Sequence, residues 1–192
     1  QIIIFQKKKL GKKWMSLIKK LNLNLFKFII FIFFIFSNSA FSEIKLISYN
    51  ASKIKVTDGD SLRFGKEKIR LFGIDAPELK QICNDKFNKP YKCGEKAKEE
   101  LNRFILSASE VNQKIYCYYF ERDKYNRILG ECFWGKTKKI NINSLMVMFG
   151  HAVAYLRYSD KYLDEQNTAK IIKFGIWQGN FDMPEEWRKK NK

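Results

Sequence analysis

Between Lys53 and Glu78 the chain reads as three short strands joined by tight turns. The strand-like runs are Lys53-Ile54-Lys55-Val56, Ser61 to Phe64 and Lys68 to Ile74. Asp58-Gly59-Asp60 and Gly65-Lys66-Glu67 separate them, and Pro77 ends the last by pushing Ala76 toward extended geometry. Strands this short need neighbours, so the segment demands a sheet of several strands. The sheet must also carry charge. Asp60, Arg70, Asp75 and Glu78 lie in or beside these runs, and Asp123-Lys124-Tyr125-Asn126-Arg127 interrupts a later pair. Buried charge is costly unless it is paired or holds a metal, so this accumulation marks a site.

The remaining elements bound the architecture. Gly94 to Ala108 reads as a helix, with Ala97, Leu101, Phe104 and Ile105 at helical spacing and Lys96, Lys98, Glu99 and Glu100 opposite. Lys114 to Phe120 and Ile128 to Trp134 form a hairpin. Asn141 is suited to cap a helix through Phe149, with Gly150 beyond its end. Ser159 or Asp160 is expected to cap a last helix to Phe174, stopped by Gly175, and Trp177 and Trp187 to pack the tail back on the domain. Several strands, one helix after the third and helices at the end fit an α+β, mainly β class. The expected form is a five-stranded OB-fold Greek-key barrel with about three helices.

Residues 1–42 hold eight lysines and no acid. Lys19, Lys20 and Lys27 precede the apolar run 28–36, and Ser37-Asn38-Ser39-Ala40-Phe41-Ser42 follows. This is the pattern of a secretory signal, with Met15 as a natural start and cleavage expected after Ser42. The run is shorter than the roughly 20 residues of a comfortable transmembrane helix. An uncleaved anchor at 28–36 is the alternative. The fold is therefore expected in residues 43–192. There, 29 basic residues face 20 acids, a net +9 out of +17 for the whole chain. Basic charge fits a polyanionic partner without establishing one.

An exported chain makes its four cysteines interpretable, because oxidising compartments permit disulfides. Cys83 and Cys93 bracket a polar loop, and Cys117 and Cys132 sit on strand-like runs flanking the Asp123–Arg127 turn. The expected pairs are Cys83–Cys93 and Cys117–Cys132. Zinc would need tight pairs such as C-x2-C, and these spacings are far wider. His151 is the only histidine, so histidine-metal or serine-histidine chemistry has little to work with.

Phosphodiester cleavage needs charge neutralisation at the phosphate and an oriented water. Asp60 and Asp75 are hard oxygen donors suited to calcium or magnesium. Arg70 and Arg127 offer planar forks for phosphate oxygens. Asp58 and Asp123 read first as turn formers.

Taken together, Val56-Thr57-Asp58-Gly59-Asp60-Ser61, Ile69 to Glu78 and Asp123 to Arg127 closely resemble three ordered motifs of the staphylococcal nuclease (thermonuclease) family. Gly94-Glu95-Lys96-Ala97 and Gly175-Ile176-Trp177 resemble its helix start and late segment. The resemblance implies a calcium-dependent OB-fold nuclease acting on DNA and RNA and leaving 3′-phosphates, and the signal pattern makes it secreted or periplasmic. No obligate protein partner is expected, and the chain is expected to be a monomer. By the same resemblance, Asp60, Asp75 and the Ala76 carbonyl would hold Ca2+. Glu78 would position or deprotonate water, and Arg70 and Arg127 would stabilise the phosphate. Lys124 and Tyr125, with Tyr155 and Tyr158, would contact the nucleotide. Ser61, Ala76 and Asn126 depart from the family's usual residues without removing a catalytic group. Asn126 replaces a Gly, and Asn tolerates left-handed geometry. The rival reading is a non-catalytic OB-fold module that binds single strands, but none of the catalytic side chains has been lost.

Overall fold

The structure is a computed structural model in which residues 43–135 and 139–191 are described, apart from the Phe120 side chain. The expected signal segment and its anchoring alternative lie outside these residues.

Strand β1 (Lys45–Asn50) leads through a 3-10 turn, Ala51–Lys53, into β2 (Ile54–Asp58). Then come β3 (Ser61–Phe64), β4 (Glu67–Leu71) and the two-residue β5 (Ile74–Asp75). A short hairpin, β6 (Cys83–Asn84) and β7 (Pro90–Tyr91), precedes helix α1 (Cys93–Glu110). The long pair β8 (Lys114–Arg122) and β9 (Ile128–Trp134) follows. After β10 (Ile140–Asn141) come α2 (Ile142–Met148), β11 (Val153–Ala154), α3 (Leu163–Ile171), a 3-10 turn Gly175–Gln178 and α4 (Pro184–Lys190).

The main sheet runs β1-β8-β9-β4-β3-β2, with β10 added to β9. Only β4 with β9 is parallel, with Ile69 opposite Ile128. This corrects the expected five-stranded closed barrel: the described sheet is mixed, seven-stranded and open. The cause is local. The 3-10 turn breaks the run 44–57 into two strands that go to opposite edges of the sheet, so no ladder joins β1 to β2. Four helices are described rather than about three. The additional one, α4, starts with Pro184 at its first turn, Glu185 and Glu186 beside it, and Arg188, Lys189 and Lys190 in its last turn. That order suits both the proline rule and the helix dipole.

Helix α1 presents Ala97, Leu101, Ile105 and Ala108 to the core, all essentially buried, and packs on β2 and the Ala51–Lys53 turn. Each large apolar side chain so buried contributes about 2 kcal/mol. Asn141 caps α2 as expected, its side chain accepting from the Ser144 N–H. The helix expected from Ser159 or Asp160 begins later, at Leu163. The Ser159 hydroxyl instead accepts from the Lys161 N–H in a separate turn.

Both expected disulfides are present. Cys117 and Cys132 face each other across β8 and β9, and Cys83–Cys93 ties the loop after Glu78 to the first residue of α1. Asn126 has φ +60, so the Asp123–Arg127 turn keeps its left-handed residue without glycine. Gly59 is required for space rather than for backbone conformation. Its φ is not positive, and a Cβ there would lie 2.7 Å from that of Ala76 and 2.8 Å from that of Ala97. Only glycine lets the Asp58–Asp60 turn close against the second acidic segment.

Candidate active site

Three carboxylates and two guanidiniums form one chain of contacts. The β2–β3 turn delivers Asp60, whose Oδ2 accepts the Ala76 N–H at 2.8 Å and whose Oδ1 accepts the Ser61 hydroxyl at 3.2 Å. Arg70 stands opposite Ser61 in the β3–β4 ladder. Its Nη1 contacts Asp60 Oδ2, and its Nη2 donates to Asp75 Oδ1 at 2.9 Å. Asp75 is almost wholly buried on β5, paired with Val153 of β11. Glu78 lies three residues on, and its carbonyl abuts the start of α1. A Cβ on Gly94 would sit 1.7 Å from that oxygen, so the close approach requires glycine there.

The second guanidinium is Arg188 of α4. Its Nη1 donates to Asp75 Oδ1 at 2.9 Å and to Glu78 Oε1 at 3.0 Å, and its Nη2 donates to Asp75 Oδ2 at 2.8 Å. Burial opposes its charge, but these hydrogen bonds and the charges of Asp75 and Glu78 hold it protonated more firmly than an ordinary arginine. Sequence reasoning missed Arg188. The signals available were Pro184 at a helix start and the acid-to-base order of residues 185–190.

Burial pushes the Asp60 carboxyl up to about 7, with Asp58 and Asp75 adding to the effect while Arg70 opposes it. Asp60 and Asp75 offer hard, dehydrated oxygens, and the Ala76 carbonyl is the third candidate donor. This set fits a hard divalent cation. Among the described residues no three Asp, Glu, His or Cys side chains are grouped as a metal cage, so two carboxylates and a backbone oxygen are the donors to consider.

The other sequence-derived residues stand apart from this chain. Asp123 Oδ1 accepts the N–H groups of Tyr125 and Arg127 at 2.9 Å each, and its Oδ2 accepts from Arg127 Nε at 2.7 Å. Burial works against ionisation of Asp123, but these donors hold its carboxyl below the usual range. Asp123 is thus the turn former expected, as is Asp58, whose Oδ1 accepts the Asp60 N–H at 3.1 Å. Arg127 lines a cavity of about 310 Å³ with Thr57, Asp58, Ser61, Arg63 and Lys68, which brings it toward the Asp60 turn from the end of the β8–β9 turn. Lys124 and Arg127 both lie over the ring of Tyr125, which is exposed. Tyr155 and Tyr158 pack edge to face at 4.8 Å, and the Tyr155 N–H donates to the Gly73 carbonyl. His151 is not part of the site. It is half-buried at the end of α2, and burial pushes its imidazole down to about 4.

Carboxylates interleaved with arginines in this way offer hard oxygen donors to a cation and planar donors to an oxyanion. The chain belongs to the staphylococcal nuclease homologue family, whose match spans residues 68–179. It is 36% identical over 126 residues to the succinoglycan biosynthesis protein ExoI of Rhizobium meliloti, covering 64% of this chain and 62% of that protein. It is 31% identical over 147 residues to an uncharacterized endonuclease of Haemophilus influenzae, covering 72% of each. It is 28% identical over 160 residues to the micrococcal nuclease of Shigella flexneri, covering 75% of this chain and 83% of that protein.

Proposed function

We propose that this protein is a calcium-dependent endonuclease that hydrolyses phosphodiester bonds of DNA and RNA, leaving 3′-phosphates. The observation that carries the reading is the contact chain Asp60–Arg70–Asp75–Arg188–Glu78 in a member of a nuclease family. Asp60, Asp75 and the Ala76 carbonyl would hold the cation, which would supply positive charge to offset the charge that develops on the phosphate. Arg70, rigidly set between two aspartates, presents its guanidinium to the same phosphate, and Arg127 approaches from the β8–β9 turn. Glu78 is the one carboxylate of the three with substantial exposure, which suits it to orient and deprotonate the attacking water. Lys124, Tyr125, Tyr155 and Tyr158 offer cationic and stacking contacts to the nucleotide.

The two disulfides fit a protein that folds in an oxidising compartment, as export through the 1–42 segment requires. No helix among the described residues is long and apolar enough to cross a membrane. The deciding experiment incubates the purified, oxidised protein with plasmid DNA and with RNA, with calcium and with a chelator. Cleavage of both only with calcium is expected. Intact substrates in both conditions would overturn the enzyme reading in favour of a single-strand-binding module.

A further inference from the structure

Arg188 reaches the site by an anchored route. The strap from Gly179 to Met183 lies along the disulfide loop, where the Asn84 N–H donates to the Asn180 carbonyl at 2.8 Å and Gln81 Nε2 donates to the Asp182 carbonyl at 2.7 Å. A Cβ on Gly179 would sit 2.2 Å from the Asn84 oxygen, so the two backbones are in close approach. Trp177 and Phe181 pack edge to face beside Cys83, Cys93, Val153 and Ile176. Pro184 is buried, and Glu185 pairs with Arg157 at 2.6 Å. One turn into α4, Arg188 then covers both oxygens of Asp75 and one of Glu78.

That position conflicts with the roles of the residues it covers. With Arg70 also on Oδ1, a guanidinium across both Asp75 oxygens leaves a cation only the remaining lone pair of Oδ2, and arginine cannot escape by losing its proton. The same group engages one oxygen of Glu78, the carboxylate read as orienting the attacking water. Charge runs the same way. Three carboxylates against two arginines leave the ionised cluster at about −1, and a divalent cation reverses that sign beside a fixed guanidinium. The freed fork then needs another oxyanion, and a phosphodiester matches its geometry. Movement is available, because the Arg188 side chain is 32% exposed and α4 is a seven-residue surface helix.

We infer that Arg188 is a third active-site arginine that exchanges partners: it neutralises Asp75 and Glu78 in the cation-free protein, leaves them when a divalent cation binds, and then donates to the phosphodiester. The inference rests on the reading of Asp60 and Asp75 as cation ligands. It is tested with the oxidised protein and Arg188→Gln at pH 8, titrated with calcium in a calorimeter without nucleic acid. Removing the competing charge should tighten calcium binding by about tenfold or more, the usual scale of coupling between mutually exclusive ligands. With calcium saturating, the same variant should lose about tenfold or more in kcat/KM, and Arg188→Lys should recover part of it. Equal or weaker calcium binding by Arg188→Gln overturns the exchange and leaves Arg188 a structural clamp. Tighter binding with unchanged kcat/KM overturns its transfer to phosphate. Calcium heat in neither protein removes the cation reading and this inference together. Hydrogen exchange of the unaltered protein gives a measurement free of folding artefacts. Calcium should speed exchange across residues 184–190, and unchanged exchange there counts against the proposal.

Discussion

Gln81 is fully buried, and Gln81→Met would separate packing from hydrogen bonding at the site's support. Its Oε1 accepts the Glu78 N–H at 3.3 Å, and its Nε2 donates to the Asp182 carbonyl at 2.7 Å. One side chain therefore ties the backbone of Glu78 to the strap that carries Arg188. Methionine keeps the volume and removes both bonds. Each net hydrogen bond is worth about 1 kcal/mol, and a stranded buried partner costs about 1–3 kcal/mol. The Glu78 bond is the longer and weaker of the two. Asp182 is exposed, so water can reach its neighbourhood and soften the loss there. The sum is about 2 kcal/mol, to be read as a shift of the urea midpoint at unchanged slope. A domain with typical stability of about 5–15 kcal/mol stays folded after such a loss, so activity at 25 °C reports geometry instead. Misplacement of Glu78 and Arg188 by a fraction of an ångström should lower kcat/KM about tenfold or more. A stability change below about 0.5 kcal/mol with unaltered kcat/KM would refute the idea that Gln81 couples the loop to the strap.

Asp60 titrates from about 7 in the folded, cation-free protein against 3.8 in the unfolded chain. The unfolded state releases its proton first, so stability contributed by this group is full below about pH 4 and lost as pH rises to about 7. Calcium affinity should fall about tenfold per pH unit below that point, and a flat calorimetric profile from about pH 5.5 to 7.5 would exclude Asp60 as a ligand. Gly59→Ala forces a methyl between Ala76 and Ala97 and should cost about 1–3 kcal/mol in urea unfolding, while a neutral result would mean the turn can shift freely. Replacing Cys83 and Cys93 with serine opens a loop whose ends are 10 residues apart and should cost about 3 kcal/mol by chain entropy, measured by thermal unfolding against the intact protein.

What the sequence showed and what it hid divide along contact range. Strands 54–75 were legible because alternation, Asp-Gly-Asp and Gly73 act over two to four residues. The Cys117–Cys132 pair was legible because a hairpin brings its two strands into register around one turn. The open sheet was not, because it depends on where β1 pairs. Lys45 to Asn50 takes the outer edge of β8 rather than continuing beside β2, and no local pattern distinguishes those edges. Asp60, Arg70, Asp75 and Glu78 were found together because they lie within 19 residues, in short strands and the turns beside them. Arg188 was out of reach for the opposite reason. It meets Asp75 across 113 residues, and no local pattern links the two.

The family match ends at residue 179, at the point where the strap begins, so Arg188 lies beyond it. The structure nevertheless gives the tail a definite course, because the cysteine loop provides a surface for it. Gln81 and Asn84 of that loop bind the strap directly, and the disulfide fixes the loop against α1, whose first turn touches the Glu78 carbonyl. The loop, the strap and the site are therefore mechanically one unit. Reduction of Cys83–Cys93 should then loosen the hold on Arg188 as well as the loop itself. An exchanging Arg188 predicts a specific consequence: the Cys83→Ser, Cys93→Ser protein, though less stable, should bind calcium more tightly than the intact protein at a temperature where both are folded. Weaker binding would instead mean that the loop's chief effect is on Asp75 and Ala76, with Arg188 following passively.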